Sequence, residues 1–314
     1  MPSKFRKEGV RVKRKKSLKY DRYGYYFVTP FIIIFLVFQL YPIIYTINLS
    51  FTDLAGWATE YEYIGLSNFK NLFQNQLFLQ SLRNTALIWI INFIPQLLMA
   101  LVLATWFTDM KVQIKGQGIY KVLFYLPGII TAASIAVLFS SFFRYPEGPV
   151  NSILVSMKIL KQPFEFFRSK TATRLIVAFI QFWMFYGSTM IMIIAAILGI
   201  SPQLYEAAMI DGANARKTFF FITLPLIKPI LLYILVTSLI GGMQMFDIPF
   251  LLTNGNPDNA VGTVAMFIYK QAFTGARSFN IAAAASMILL FIIICCSLIL
   301  FRLFSEKEEG KEGR

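Results

Sequence analysis

The groups that could do chemistry in this chain are a few amide, hydroxyl and carboxylate side chains placed within long apolar runs. Histidine is absent, and the only cysteines, Cys295 and Cys296, are adjacent inside one such run. Adjacent cysteines indicate neither a metal cluster nor a stabilising disulfide, and a sequence without histidine excludes many catalytic arrangements. Hydrogen bonding to a bound solute is therefore the chemistry that these side chains can offer.

Six side chains are candidates for such contacts, because an unpaired polar group in an apolar interior is costly and needs a partner. They are Asn92, Gln96, Gln181, Tyr186, Gln244 and Asp247. Asn92 and Gln96 are one helical turn apart and share a face. Asp247 stands out because a lone carboxylate near the end of an apolar run needs water, a cation or a polar ligand. For each of the six, hydrogen bonding to a neighbouring helix is the alternative interpretation.

The sequence contains no P-loop with which to bind ATP. That motif needs Gly, four residues, Gly, Lys and then Ser or Thr, because backbone amides and the lysine wrap the phosphates. The nearest match ends in Lys217 and Thr218, but Arg216 and Asp211 occupy the two glycine positions. We therefore expect a non-enzyme that binds no cofactor and no metal of its own.

The elements that must position these groups are membrane spans, since 57% of the residues are hydrophobic and several runs reach the roughly 20 residues that cross a bilayer. We predict an all-α polytopic membrane protein with six transmembrane helices, in apolar runs at 27–46, 85–107, 122–142, 175–199, 230–246 and 281–301. The expected organisation is a basic tail (1–26), a first helix (27–47), an external segment (48–83), a five-helix core (84–302) and a short tail (303–314).

The distribution of basic residues predicts the orientation of these spans. The formal net charge is +14, and ten of the thirty Lys and Arg residues precede Tyr23. A basic tail beside a span holds the cytosolic side or meets anionic lipid headgroups, so we expect membrane lipid rather than nucleic acid as its partner. With both termini in the cytosol, twenty basic residues lie inside and ten outside, which agrees with the positive-inside rule.

Residues 201–229 separate the fourth and fifth apolar runs, and this topology places them in the cytosol. Ser201 is expected to cap a short helix that begins at Pro202, and Gly212 to end it in a left-handed turn. A second helix is predicted over 214–222, with Pro225 and Pro229 marking its stop and the start of the next span. Local physics alone predicts a cytosolic loop with two amphipathic turns, which we call the 201–229 loop.

The spacing within this loop resembles the Glu-Ala-Ala loop of ABC importer permeases at every defining position. The matching residues are Glu206, Ala207, Ala208, Gly212, Ile222, Leu224 and Pro225. In that family the loop is a coupling helix that docks in a groove of a cytosolic ATPase, so the resemblance implies that these residues and Asp211 contact such a subunit. Small alanines permit close approach, and the Glu206 carboxylate can pair with a basic residue. ATP and Mg would then be held by the partner ATPase.

The resemblance covers nearly the whole chain, from TPFIIIFLVFQLYPIIYTINLSF to IYKQAFTGARSFNIAAAAS, and points to the carbohydrate-type branch that includes maltose and oligosaccharide permeases. It implies the transmembrane domain of a type I ABC importer in a bacterial-type cell membrane, with an oligosaccharide as cargo. Its implied partners are a second homologous permease, two cytosolic ATPase subunits and an extracytoplasmic sugar-binding protein. One departure is that the family's Gly-Gly-Pro after the fifth span appears here as Gly255-Asn256-Pro257.

An ion-coupled secondary transporter is the alternative, since it would also be a polytopic helical bundle. Such a protein is expected to show inverted repeats and intramembrane ionisable residues that carry the coupling ions. Neither is evident in this sequence. A channel or a structural scaffold would leave the Glu-Ala-Ala spacing unexplained.

Overall fold

The computed structural model describes residues 21–109, 115–275 and 277–312. Most of the predicted basic tail and part of the connection between the second and third predicted spans lie outside these ranges. Within them the regular structure is helical, apart from one isolated antiparallel bridge between Thr52 and Tyr63. The predicted all-α fold class is confirmed.

Among the described residues, those up to Thr46 form one compact unit and those from Ile47 onward form another. The first helix, α1 (Asp21–Phe35), continues through a π-helical turn (Leu36–Leu40) into α2 (Tyr41–Ser50). The wider turn immediately precedes Pro42, which has no N–H to donate to the carbonyl one turn back. The apolar helix Gly24–Ser50 is long enough to cross a membrane, and the predicted first span falls within it.

The second unit contains the remaining helices, several of which are long and apolar. They are α3 (Ser67–Gln74), α4 (Gln76–Thr108), α5 (Gln117–Tyr125), α6 (Ala132–Phe142), α7 (Pro149–Ser156), α8 (Lys170–Leu198), α9 (Pro202–Ile210), α10 (Ala215–Thr218), α11 (Leu224–Leu226), α12 (Lys228–Met243), α13 (Asp247–Thr253), α14 (Val264–Phe273) and α15 (Phe279–Glu312). With the first helix, α4, α8, α12 with α13, and α15 make five spans.

The third predicted span is broken, so our prediction of one continuous helix over 122–142 was wrong. The segment Gln117–Ile129 meets α6 at an angle of 92°. Pro127 lies in a 3-10 turn (Leu126–Ile129), and Thr131 caps α6 by accepting a hydrogen bond from the N–H of Ser134 at 3.3 Å. A helix start signalled by a capping threonine cannot be the interior of a continuous helix. Counted as one bent span, this pair completes the six.

The broken span approaches α8 closely at Gly187. A Cβ atom at this position would lie 2.0 Å from the carbonyl oxygen of Phe124. Because backbone lies against backbone here, no side chain can move aside to make room. The glycine therefore allows α5 to contact the middle of α8.

The centre of the second unit is the contact between α4 and α8, which is more extensive than that of any other pair of described helices. Their facing side chains form an apolar cluster with α12, in which Ala100, Met190, Ile193 and Ile227 are buried. Small and β-branched side chains at such an interface let two helices approach and pack tightly. This packing fixes the polar residues on the same helices.

A network of hydrogen bonds clamps residues 254–263, which we call the 254–263 loop, onto α4 and α8. Arg174 donates from Nε to the carbonyl of Ala260 at 2.8 Å and from Nη2 to Oδ1 of Asn84 at 3.0 Å. Asn84 is buried and donates in turn to the carbonyls of Asn259 at 2.6 Å and Gly262 at 3.1 Å. The polar groups of this network thus have hydrogen-bond partners, as a buried polar network requires.

The ends of this loop are also held. Thr263 donates to the carbonyl of Met245 at 2.6 Å, and Lys270 donates to the carbonyl of Asn254 at 2.9 Å. Partial burial lowers the pKa of the Lys270 ammonium, since it removes water from the charged form. Gly255 has a φ of +91°, whereas Asn256 is outside the left-handed region. The departure from Gly-Gly-Pro therefore falls at a position that does not need glycine.

Candidate functional site

A cavity of about 340 Å³ lies between α4, α8, α12 and the start of α13, and its largely apolar lining carries several polar side chains. Five of the six predicted polar candidates line it: Asn92, Gln96, Gln181, Gln244 and Asp247. They come from three separate stretches of the chain. The fold thus collects side chains that the sequence placed only within individual spans.

The α4 wall of the cavity carries Asn92 and Gln96, and both are nearly buried. Asn92 donates to the carbonyl of Ile88 on its own helix at 2.8 Å, which leaves its amide oxygen available. Gln96 donates from Nε2 to Oγ1 of Thr189 on α8 at 2.8 Å. The Asn92 amide is therefore partly bonded to its own helix, and the Gln96 amide joins the α4 and α8 walls of the cavity.

The α8 wall carries Gln181 and Ser188, which lie two helical turns apart on one face. Gln181 is largely buried, yet its side chain makes no hydrogen bond with any residue that the structure describes. Its amide faces the cavity and is available to a ligand. Ser188 bonds the carbonyl of Phe185 at 2.9 Å.

Tyr186 lies outside the cavity lining. It is five residues from Gln181, which turns it about 140° around the helix at roughly 100° per residue. Its ring is buried, stacks with Phe182 at a centroid distance of 5.5 Å and meets Phe124 edge-on at 6.1 Å. The structure places this candidate in the apolar packing.

The third wall is a break between α12 and α13, where Gln244 and Asp247 lie. α12 is helical through Gly241 and Gly242 and ends at Met243. Gln244 and Asp247 are exposed. The Asp247 carboxylate forms no hydrogen bond or ion pair with the described part of the chain.

Trp89 and Ser238 complete this wall, and our sequence interpretation selected neither of them. Trp89 donates from Nε1 to Oγ of Ser238 at 3.2 Å, which joins α4 to α12. Gly242 makes this contact possible, because a Cβ there would lie 2.1 Å from Cδ1 of Trp89. Trp89 is three residues before Asn92 on the same face, and this spacing was the available signal.

Charge is nearly absent from the cavity. Among the described residues that line it, only Asp247 has a side chain that is charged at neutral pH, and the lining contains neither lysine nor arginine. In the same part of the chain, no three His, Cys, Asp or Glu residues lie close enough to hold a metal ion. The arrangement offers amide and hydroxyl hydrogen bonds, aromatic surface and one carboxylate.

The 201–229 loop has the predicted helix, turn and helix, with corrected ends. Ser201 occupies the cap position of α9 but its side chain makes no capping hydrogen bond, so that detail was wrong. Gly212 has a φ of +73°, which confirms the left-handed turn. Asn214 caps α10 by accepting from the N–H of Lys217 at 2.9 Å. The chain then remains helical past Pro225, which is the second residue of α11 and does not end the second helix.

The loop exposes both its signature residues and large apolar side chains. Glu206, Ala207, Asp211, Gly212 and Pro225 are exposed; Ile222 and Leu224 are half-buried; and Ala208 is buried. Ile210 and Phe221 are 87% and 79% exposed. Large apolar side chains clustered on an exposed surface are typical of a contact with another protein.

The loop is continuous with the cavity wall. After α10, a π-helical turn (Phe219–Thr223) leads into α11, and Ile227 is the single non-helical residue before α12. The far half of α12 contributes Thr237 and Ser238 to the cavity. Tyr205 and Thr223 join the two parts of the loop through a hydroxyl contact of 3.2 Å. A displacement of the loop would therefore reach α12 directly.

A known protein family and several named proteins are similar to this chain over most of its length. The family described as "Binding-protein-dependent transport system inner membrane component" matches residues 78–308. The chain is 32% identical over 273 residues to the lactose transport system permease protein LacF of Rhizobium radiobacter, covering 86% of this chain and 90% of that protein. It is 32% identical over 249 residues to the arabinooligosaccharides transport system permease protein AraP of Bacillus subtilis, covering 79% and 77%.

Solved structures with this fold include a bacterial ABC transporter involved in the import of the acidic polysaccharide alginate. The match has a TM-score of 0.79 and 27% sequence identity, and covers 92% of this chain and 96% of that one. The similarity thus extends over nearly the entire fold.

Proposed function

Because the chain belongs to the family of binding-protein-dependent transport system inner membrane components, we propose that it is the permease subunit of an ATP-driven importer for an oligosaccharide. It is a multi-pass membrane protein, and it would form half of the translocation path. The observation that carries the proposal is the cavity of amide and hydroxyl groups in the middle of this membrane fold.

The chemistry of the cavity supports a sugar as cargo. Sugars present many hydroxyl groups, and amides can both donate to and accept from them. Gln181 and Gln244 lie on different walls, and their amides form no hydrogen bond with other described residues. Trp89 and Phe246 add aromatic surface. Relatives named for lactose and arabinooligosaccharide transport support the same cargo class for this chain.

The 201–229 loop would couple the cavity to ATP hydrolysis on a partner. Glu206 and its exposed neighbours would dock on a cytosolic ATPase, which holds ATP and Mg. Closing of the ATPase pair would displace the loop, and the continuous path through α11 and Ile227 would tilt α12. The cavity would then alternate between access from the two sides of the membrane.

The complete importer would contain a second homologous permease, two ATPase subunits and an extracytoplasmic sugar-binding protein. Both termini and the 201–229 loop would lie in the cytosol, and the 254–263 loop on the opposite face. The unpartnered apolar surface of α4, including Ile94, Leu98 and Val102, is available to the second permease or to lipid.

Co-purification from the native membrane tests this function. A tagged chain should bring a second permease and an ATPase, identified by mass spectrometry, and a binding protein with its sugar should stimulate ATP hydrolysis. Solute uptake by the chain alone, driven by an ion gradient without an ATPase, would instead identify a secondary transporter.

A further inference from the structure

The charge of the cavity bears on which oligosaccharides it can admit. Of the described residues that line it, Asp247 alone carries a formal charge at neutral pH. Two ion pairs are recorded among the described residues, Arg168 with Glu165 and Lys170 with Asp258, and both lie away from the lining. The carboxylate of Asp247 therefore faces the cavity without a compensating cation among the residues that the structure describes.

We propose that this cavity admits neutral oligosaccharides and excludes anionic ones, an inference that rests on the proposed function. A uronic acid in the cavity would bring a second carboxylate near the exposed Asp247, in a cavity whose lining is largely apolar. Like charges repel more strongly there, and the desolvated uronate gains no ion pair in return. Two penalties of the same sign thus act on an anionic sugar.

A neutral sugar meets neither penalty. Its hydroxyls can donate to the Asp247 carboxylate, and such charge-assisted hydrogen bonds are stronger than neutral ones. Gln181 and Gln244 can exchange hydrogen bonds with further hydroxyls, and Ser188 adds another partner. The same carboxylate that repels an acid would help to hold an uncharged ring.

The prediction gives this protein a different class of cargo from that of a relative with a similar fold. The alginate importer has a similar fold and takes an acidic polysaccharide. The shared fold sets the position of a cavity between the helices, while the side chains that line it set its charge. Fold similarity would suggest an acidic cargo, and the lining of this cavity predicts a neutral one.

The test uses the intact complex, purified with its co-purifying subunits in nanodiscs and without the binding protein, so that only the membrane cavity selects the sugar. Neutral oligosaccharides of two to five rings are screened by equilibrium dialysis. The tightest is then compared with its derivative oxidised to a uronic acid at C6, which keeps ring size and linkage. We expect the acid to bind at least roughly tenfold more weakly, from like-charge repulsion at reduced dielectric.

Substitutions at one position assign the effect. Asp247→Asn should bring the two affinities within about threefold of each other, and Asp247→Lys should reverse their order, because the sign of the local charge changes. Glu165→Gln removes an external carboxylate and should leave the discrimination unchanged. Thermal unfolding of each variant complex checks that it is folded.

The outcomes are distinct. Equal binding of acid and neutral sugar by the wild-type complex, binding of uronates alone, or discrimination that Asp247→Asn leaves intact would overturn the inference while keeping an oligosaccharide cargo. Failure of both kinds of sugar to bind, or to stimulate ATP hydrolysis when the binding protein is added, would count against the proposed function itself.

Discussion

Gln96 on α4 and Thr189 on α8 are joined by a hydrogen bond of 2.8 Å across the cavity wall, and both side chains are nearly buried. Thr189 passes the interaction on to the carbonyl of Phe185 at 3.1 Å. The pair connects the two helices that make the most extensive contact in the fold. It thereby fixes the separation of two walls of the proposed sugar path.

Removing this bond should loosen the bundle. Hydrogen bonds between membrane helices contribute about 0.6 kcal/mol on average and up to about 1.7 kcal/mol. Gln96→Leu and Thr189→Val should each lower the free energy of unfolding, and the double variant should lose less than the sum of the two. Unfolding in detergent measures this, with Thr105→Val as control because Thr105 bonds carbonyls of its own helix. Additive losses would show that the pair is not coupled.

The adjacent glycines of α12 should respond in opposite ways to the same added methyl group. Gly242→Ala would place Cβ against the ring of Trp89, whereas Gly241→Ala meets nothing within 4 Å. Overpacking costs about 1 to 3 kcal/mol, so Gly242→Ala should lower the unfolding temperature and disturb sugar uptake. Gly241→Ala should keep or raise stability, because alanine favours helix. Equal effects at both positions would contradict the close contact with Trp89.

Arg174 should not be replaceable by lysine. Its guanidinium bonds the carbonyl of Ala260 and Oδ1 of Asn84 at once, a two-pronged geometry that an ammonium cannot reproduce. Arg174→Lys should cost roughly 1 to 3 kcal/mol, the range for leaving buried polar groups unpaired. Limited proteolysis should also cut the 254–263 loop faster. The control is Arg168→Lys, an exposed ion-pair partner for which we expect a change within about 0.5 kcal/mol.

Glu206→Gln should impair both sugar uptake and sugar-stimulated ATP hydrolysis in the assembled importer. The substitution keeps size and removes the charge that would pair with a basic residue of the ATPase. Sugar-stimulated ATPase activity and uptake should fall at least roughly tenfold, from loss of a charge-assisted contact, at unchanged expression. Gln203→Ala, exposed on the same helix, should leave both near wild type. Normal stimulation by the Glu206→Gln complex would remove this residue from the proposed coupling contact.

The sequence predicted those features that depend on composition and short-range periodicity. Apolar runs located the spans, the four-residue spacing of Asn92 and Gln96 placed them on one face, and Gly212 adopts the expected left-handed turn. These features depend on the chain's local preferences and on helical geometry. They do not require knowledge of which helices become neighbours.

Features that depend on tertiary contacts could not be obtained in the same way. The 92° break in the third span lies within an unbroken apolar run, where hydropathy carries no signal of direction. Tyr186 has a polar hydroxyl, yet the rotation of α8 about its axis turns it into the apolar packing. Threonine and serine are common where helices pack, so Thr189 and Ser238 did not stand out in the sequence. They become part of the cavity only because α8 and α12 pack against α4.

The single non-helical residue Ile227 gives α12 the geometry of a lever. The helix has 16 residues and, at 1.5 Å per residue, extends about 24 Å from Lys228 to Met243. A tilt of about 10° at its Lys228 end would carry the other end through about 4 Å by this geometry. That distance is close to one layer of van der Waals contact, so a shift of this size would close a gap around a sugar ring. A tilt of this size at the loop would therefore decide whether the cavity grips or releases its contents.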